Sequence, residues 1–193
     1  MDSSYYLGWQ LPQFMIGCGS PGESYCLLSR KVLKQIRKPT PKEVNIYAAA
    51  ISNLYPVMTE EKVWGAADGT KISIQGCRDY MQQNQNFNGW YHGHYVNSVF
   101  VFLADGKICI CSLNSPGTWH DSTISDYGAY EGLEQVLLQS NGKVVVDSAF
   151  KLENKAFLLK SSQQDPVGDA RNVLVTFWST VQLLWYDNCP NGE

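Results

Sequence analysis

Three consecutive valines, Val144-Val145-Val146, stand between Lys143 and Asp147. Successive side chains of a strand point to opposite faces of its sheet, so a half-exposed strand alternates apolar and polar residues. This run does not alternate. It reads as a strand buried on both faces, which places it at the centre of a sheet covered by other elements. It also ends on a carboxylate, Asp147. A similar junction lies 79 residues earlier, where Trp64-Gly65-Ala66-Ala67 leads into Asp68-Gly69 and sets Asp68 at a strand end.

The segments between these two acids follow a legible order. Ile72 and Ile74 alternate with polar residues, as expected of a strand leaving Asp68-Gly69. Tyr80 to Tyr91 is rich in Gln, Asn and Gly and reads as a loop. Tyr95 to Leu103 is β-branched and aromatic and predicts a strand. Ala104-Asp105-Gly106 is a hairpin turn, Lys107 to Leu113 the returning strand, and Asn114-Ser115-Pro116-Gly117 its stop. Ser125 to Gln139 predicts one helix with Leu133, Val136 and Leu137 on one face, and Asn141-Gly142 a turn. Upstream, Thr40-Pro41-Lys42-Glu43 spells a capping box with Pro at the first helical position. Val44, Tyr47, Ala48, Ile51 and Leu54 follow at helical spacing, and Pro56 ends the helix. A shorter helix is expected from Ser29 to Ile36.

The sum is an α/β chain with a mixed sheet. A helical or irregular leader over residues 1–60 precedes a β-β-β-α-β core of the ribonuclease H-like kind. In that order the first and fourth strands lie side by side, so Asp68 and Asp147 are expected to converge. Two converging carboxylates suit a hard divalent cation, Mg²⁺ or Mn²⁺, and paired cations can cleave a phosphodiester by in-line displacement.

Composition narrows the classes. With 193 residues and 44% hydrophobic side chains, the chain can bury a core and is not of the disordered class. Its 15 basic and 18 acidic residues argue against a globally basic nucleic-acid surface. Arg30 to Lys38, with five cations in nine positions, is a local exception that reads as a solvated helix face or a phosphate contact. No 18-residue apolar run suggests a membrane span. The first residues lack the basic start and apolar core of a secretory signal, so a nuclear or cytoplasmic, not secreted, protein is expected. The six cysteines contain no Cys-x-x-Cys pair and are expected reduced. Cys109 and Cys111 alternate and so are expected on one face. His92 and His94 have no cysteine pair at zinc-binding spacing.

Four segments, in order, resemble the DDE superfamily endonuclease domain of the Harbinger-like transposase type. They are Val63-Trp64-Gly65-Ala66-Ala67-Asp68-Gly69-Thr70, Phe87-Asn88-Gly89-Trp90-Tyr91-His92-Gly93-His94-Tyr95, Asn114-Ser115-Pro116-Gly117-Thr118-Trp119-His120-Asp121-Ser122 and Val145-Val146-Asp147-Ser148-Ala149-Phe150. The resemblance covers roughly residues 60–165 and implies three acids holding two divalent metals, Mg²⁺ or Mn²⁺, on DNA. Asp68 matches the first acid and Asp147 the second. The family's third acid is a Glu on a later helix, and here the chain departs: Arg171 is followed by Asn172-Val173-Leu174-Val175. The late acids are Asp165, Asp169, Asp187 and Glu193; Asp187, 40 residues after Asp147, falls within the rough range for a third acid, in a context, Trp185 to Pro190, unlike the family helix. The chain therefore divides into the leader 1–60, an incomplete endonuclease-like domain 61–175 and a non-matching tail 176–193, with the catalytic helix expected to be lost.

The remaining candidates are weighed against ordinary roles. His120-Asp121-Ser122 cannot be a hydrolytic triad, because adjacent side chains diverge. Asp121 either caps the following segment as an Asx-turn or, with His120, lines the rim of the site as a catalytic group. Trp90, His92 and His94, with Tyr91 and Tyr95, either pack as a loop or stack on unpaired DNA bases; His120 joins them as a nucleic-acid contact. His92 and His94 are expected to point the same way. The reading is a metal-dependent DNA endonuclease domain, impaired by the missing acid. The alternative is an inactive transposon remnant that binds DNA or protein, and the bland case a soluble α/β domain with no nucleic-acid role. DNA is the expected partner, no membrane is, and a homo-oligomer is compatible.

Overall fold

The computed structural model of the chain describes residues 36–76 and 78–160. Helix α1, Pro41–Leu54, begins at the expected capping box. The Glu43 N–H donates to Thr40 Oγ1 at 3.3 Å, and the Thr40 N–H donates to Glu43 Oε2 at 2.8 Å. Val44, Ala48 and Ile51 form its buried stripe, and a 3-10 turn, Pro56–Met58, follows. Part of the basic stretch is engaged here: Arg37 forks onto Glu43 at 2.9 and 2.6 Å, and Lys38 donates to Gln135. The helix expected over Ser29 to Ile36, all but its last residue, lies outside the described residues.

The sheet has six strands: β1 Val63–Ser73, β2 Phe87–Asn88, β3 Gly93–Leu103, β4 Ile108–Pro116, β5 Lys143–Val146 and β6 Leu158–Lys160. Their order is β2-β3-β1-β5-β6, with β4 also paired to β3. β1 runs antiparallel to β3, and β3 to β4; β1 and β5 are parallel, as are β5 and β6. The first strand and Val144-Val145-Val146 are thus neighbours, as the element order required. All three valines are fully buried, each contributing about 1.5–3 kcal/mol over an exposed side chain.

Two layers of apolar side chains cover the sheet. On one face Ala67, Val99, Val101, Val144 and Val146 meet helices α3, Asp121–Asp126, and α4, Ala129–Ser140, through Ile124, Tyr130, Leu133 and Val136. On the other, Ala66, Phe100, Phe102 and Val145 meet Ile51 of α1 and Met58. A bulge between Val63 and Gly65 on β1 sets which residues take which face.

Three local expectations change. The stretch read as a loop contains helix α2, Tyr80–Asn86, because the Asp79 carboxylate accepts the Met81 and Gln82 N–H groups at 2.9 and 3.1 Å. The single helix expected over Ser125 to Gln139 is two, because Ser112 Oγ accepts the Ala129 N–H at 3.0 Å and starts a new helix after Gly128. Cys109 and Cys111 do not share a face. The β3–β4 register skips Cys109, pairing Val101 with Ile110 and Phe102 with Ile108, and Cys109 bulges into the layer opposite Cys111. Both thiols are free and buried or half-buried, and burial pushes Cys111 up to about 11.

Backbone approach is closest where β1 crosses β3. A Cβ on Gly65 would lie 2.2 Å from the Phe102 carbonyl oxygen, whereas one on Gly89 would have nothing within 4 Å. Gly65→Ala is expected to lose about 1–3 kcal/mol in urea denaturation, as overpacked sites do. Gly89→Ala should stay within about 0.5 kcal/mol of the parent. Equal midpoints for the two variants would contradict this β1–β3 contact.

Candidate functional site

Asp68 is not at the end of β1 but in its middle, because β3 pairs with β1 as far as Ser73↔Tyr95. What ends near Asp68 is the pairing with β5. Its last steps are Gly65↔Val144, Ala66↔Val145 and Ala67↔Val146, so Asp68 and Asp147 are the two residues that follow the final pair. Neighbouring strands lie about 4.8 Å apart, which puts the two acids side by side where the strands part. Each carboxylate is fixed by a backbone donor. Asp68 Oδ1 accepts the Gly69 N–H at 2.6 Å, and Asp147 Oδ1 accepts the Ala149 N–H at 2.8 Å in an Asx-turn.

Asp121 reaches the same place from another element. An ideal Cβ on Gly69 would lie 2.3 Å from Asp121 Cγ and Oδ1 and 2.5 Å from Oδ2. The carboxylate therefore fills the space that any other residue after Asp68 would need. Alternation along β1 puts Gly69 on the face of Ala67, covered by α3 and α4, and Asp68 on the face of Ala66 and Phe100. Asp121 thus backs the acid pair from the opposite side of the sheet. It is not the cap of α3: His120 holds that position without a side-chain bond, and Asp121 is the first helical residue.

The Asp121 side chain is only 9% exposed, and no described residue donates a hydrogen bond to its carboxylate. Burial pushes its pKa above the usual carboxylate range. The Lys71 ammonium opposes that rise, and the negative charge of Asp147 adds to it. Among the described residues, no group of three His, Cys, Asp or Glu side chains is arranged to hold a metal ion. The donor set that does exist, two carboxylates in adjacent strand positions, has the oxygen chemistry that Mg²⁺ and Mn²⁺ take.

Ser122 is a positioning residue that sequence reasoning passed over. Its hydroxyl donates to the Ala149 carbonyl at 2.8 Å and accepts the Lys151 N–H at 2.9 Å. It ties the segment after Asp147 to the start of α3, and so to Asp121. The signal was available in the adjacency of Asp121 and Ser122. Asn97, buried in β3, donates to the Gly117 and Trp119 carbonyls at 3.3 and 2.9 Å and holds the turn that delivers His120 and Asp121.

The aromatic candidates occupy the β2–β3 hairpin, beyond the Ser73 end of β1. Trp90 is 86% exposed at its tip. His92 is not on the strand; it sits in the turn at φ 51°, so it does not pair in direction with His94. His94 is half-buried on β3, its ring 5.3 Å from Phe87 and its Nε2 buried without a hydrogen-bond partner among the described residues. His120 is exposed at the mouth of α3. Asp187, the candidate for a third acid, lies outside the described residues, as do Asp165, Asp169, Glu193 and the tail 176–193.

A family model described as DDE superfamily endonuclease matches residues 67–176, more than half of the 193-residue chain. The chain belongs to the DDE superfamily endonucleases. The matched stretch begins one residue before Asp68 and contains Asp121 and Asp147. No curated protein and no solved structure matches this endonuclease domain. No helix among the described residues is long and apolar enough to cross a membrane.

The burial of Asp121 has a pH signature. Its folded pKa lies above the ordinary 3.8, so between those two values the native state holds the proton that the unfolded state has lost, and stability falls as pH rises. The cost is absent below the unfolded pKa and complete above the folded one. Asp121→Asn is expected to raise the melting temperature at pH 7 in EDTA and to lose that advantage as the pH approaches about 3. Thermal melts from pH 3 to 8 check this, and a lower melting temperature at pH 7 would contradict it.

Proposed function

We propose that this domain is a transposase-derived, divalent-metal-dependent endonuclease of the Harbinger-like type, built on a ribonuclease H-like core and acting on DNA in the nucleus. The observation that carries this reading is the β1–β5 pairing that ends at Ala67↔Val146 and leaves Asp68 and Asp147 side by side. Asp68 and Asp147 are the residues that would hold Mg²⁺ or Mn²⁺. Such a cation, when bound, activates water and stabilises the leaving oxygen of a phosphodiester.

The chain's own work is to position. Gly69 and Ala149 each fix one carboxylate oxygen of the pair. Ser122 holds the Asp147 segment against α3. Asp121, a catalytic candidate by sequence, is assigned a positioning role: it sits behind the pair and its charge bears on Asp147. Fixing two cations about 3.5–4 Å apart takes more ligands than two carboxylates. We therefore propose weak metal affinity and impaired cleavage. The second reading, an inactive remnant that binds DNA or a protein, is favoured by one observation: no described group of three ligands is arranged for a metal.

A nicking assay on supercoiled plasmid separates the two. Cleavage in Mn²⁺, slower in Mg²⁺ and abolished in Asp68→Ala and Asp147→Ala, is the expected result. Loss of cleavage in Asp187→Ala as well would make Asp187 the third ligand. No cleavage by the parent chain would favour the remnant. Melting adds a readout that does not depend on turnover. Mn²⁺ should raise the parent's melting temperature, because a ligand stabilises the state it binds. Asp147→Asn should abolish that rise yet melt no lower than the parent in EDTA, since Asn Oδ1 can still accept the Ala149 N–H.

A further inference from the structure

Exposed apolar side chains are unevenly spread over this domain. Among the described residues ten large ones are exposed, and five of them, Tyr80, Met81, Phe87, Trp90 and Tyr91, fall within α2 and the β2–β3 hairpin. Five in one short stretch of chain make this segment the candidate interaction surface of the domain. We propose that the Trp90–Tyr91 tip is a stacking platform for unpaired bases of the DNA substrate. The proposal rests on the nuclease reading for the identity of the polymer, and it names what that reading leaves open, the strandedness that the site prefers.

The tip is held ready. Asn88 Oδ1 accepts the Trp90 and Tyr91 N–H groups at 3.0 and 3.3 Å, and Asn88 Nδ2 donates to the Gly117 carbonyl at 2.8 Å. The Tyr91 ring stands edge-on to Tyr95 at 5.8 Å. A platform fixed before binding loses little conformational entropy when a base arrives. Its composition suits nucleotides better than a protein groove. From Tyr80 to Tyr95 there is no Leu, Ile or Val and no acid, but there are six Gln and Asn side chains able to meet base edges. Lys71 and Arg78, both exposed, supply positive charge beside it for the phosphates.

Lys71 also links the platform to the side of the sheet that Asp121 occupies. Its Nζ lies 5.5 Å from the Tyr91 ring centroid, and its charge is felt by Asp121. Along β1 it is two residues from Gly69 and so shares that residue's face, the one that Asp121 backs. Duplex DNA keeps its bases stacked on one another and offers none to an exposed indole.

Fluorescence anisotropy of the full chain in EDTA tests this with three labelled probes: a single strand, a blunt duplex, and the same duplex with a short 3′ overhang. The single strand and the overhang are expected to bind more tightly than the blunt duplex. Trp90→Ala should weaken those two by about tenfold, the effect of one lost base stack, and leave the blunt duplex unchanged. Trp90→Phe should restore most of the preference. Because Trp90 is exposed, all variants should melt with the parent. Equal affinity for all three probes, or a Trp90→Ala variant that binds like the parent, overturns the platform, as does an absence of binding to every probe. The nuclease reading is judged separately by plasmid nicking. Cleavage without an effect of Trp90→Ala would remove the platform alone, and overhang preference without cleavage would keep the platform and remove the catalysis.

Discussion

Everything around the candidate site depends on β5 being buried on both faces and pairing in parallel with β1. Parallel neighbours cannot be joined by a tight turn, so the chain must travel far between them. Here it does so through the hairpin of β3 and β4 and the helices α3 and α4, which then cover the sheet. The crossover is thus also the cover. With Val144, Val145 and Val146 locked against Gly65, Ala66 and Ala67, no freedom remains in where the next two residues go. The convergence of Asp68 and Asp147 follows from hydrophobic burial and needs no attraction between the acids, which repel each other.

That repulsion and its management explain the rest of the centre. A largely buried carboxylate without a donor is unfavourable, yet Asp121 lies against the backbone of Gly69 with no donor among the described residues. The nearby Lys71 charge offsets part of this. Such a cost is tolerated where surrounding contacts over-determine the position. Ser122, one residue on, supplies two of those contacts.

The fold was legible where its causes are local. The valine run, the capping box at Thr40 and Glu43 and the turn at Asp105-Gly106 each carry their physics within a few residues, and each appears where it was read. What escaped depends on partners distant in sequence. The split of the predicted helix needs the Ser112 hydroxyl from β4, and the facing of Cys109 needs a register shift against β3. Helix α2 is the exception, since Asp79 was a readable N-cap and the amide-rich composition obscured it. Of the site, the pairing of Asp68 with Asp147 was legible through element order. The approach of Asp121 was not, because a glycine after an acid says nothing about which side chain fills the missing Cβ.

The bulge between Val63 and Gly65 has a consequence for the acid that follows it. Side chains on a strand change sides at every step, so an odd residue inserted upstream decides the side for all those downstream. Without it, Asp68 would stand beneath the helices, in the place now taken by the carboxylate of Asp121, and the glycine would open toward Phe100. The handedness of the whole centre, which acid faces outward and which is kept behind, is therefore written around Trp64, a fully buried residue with no chemistry of its own.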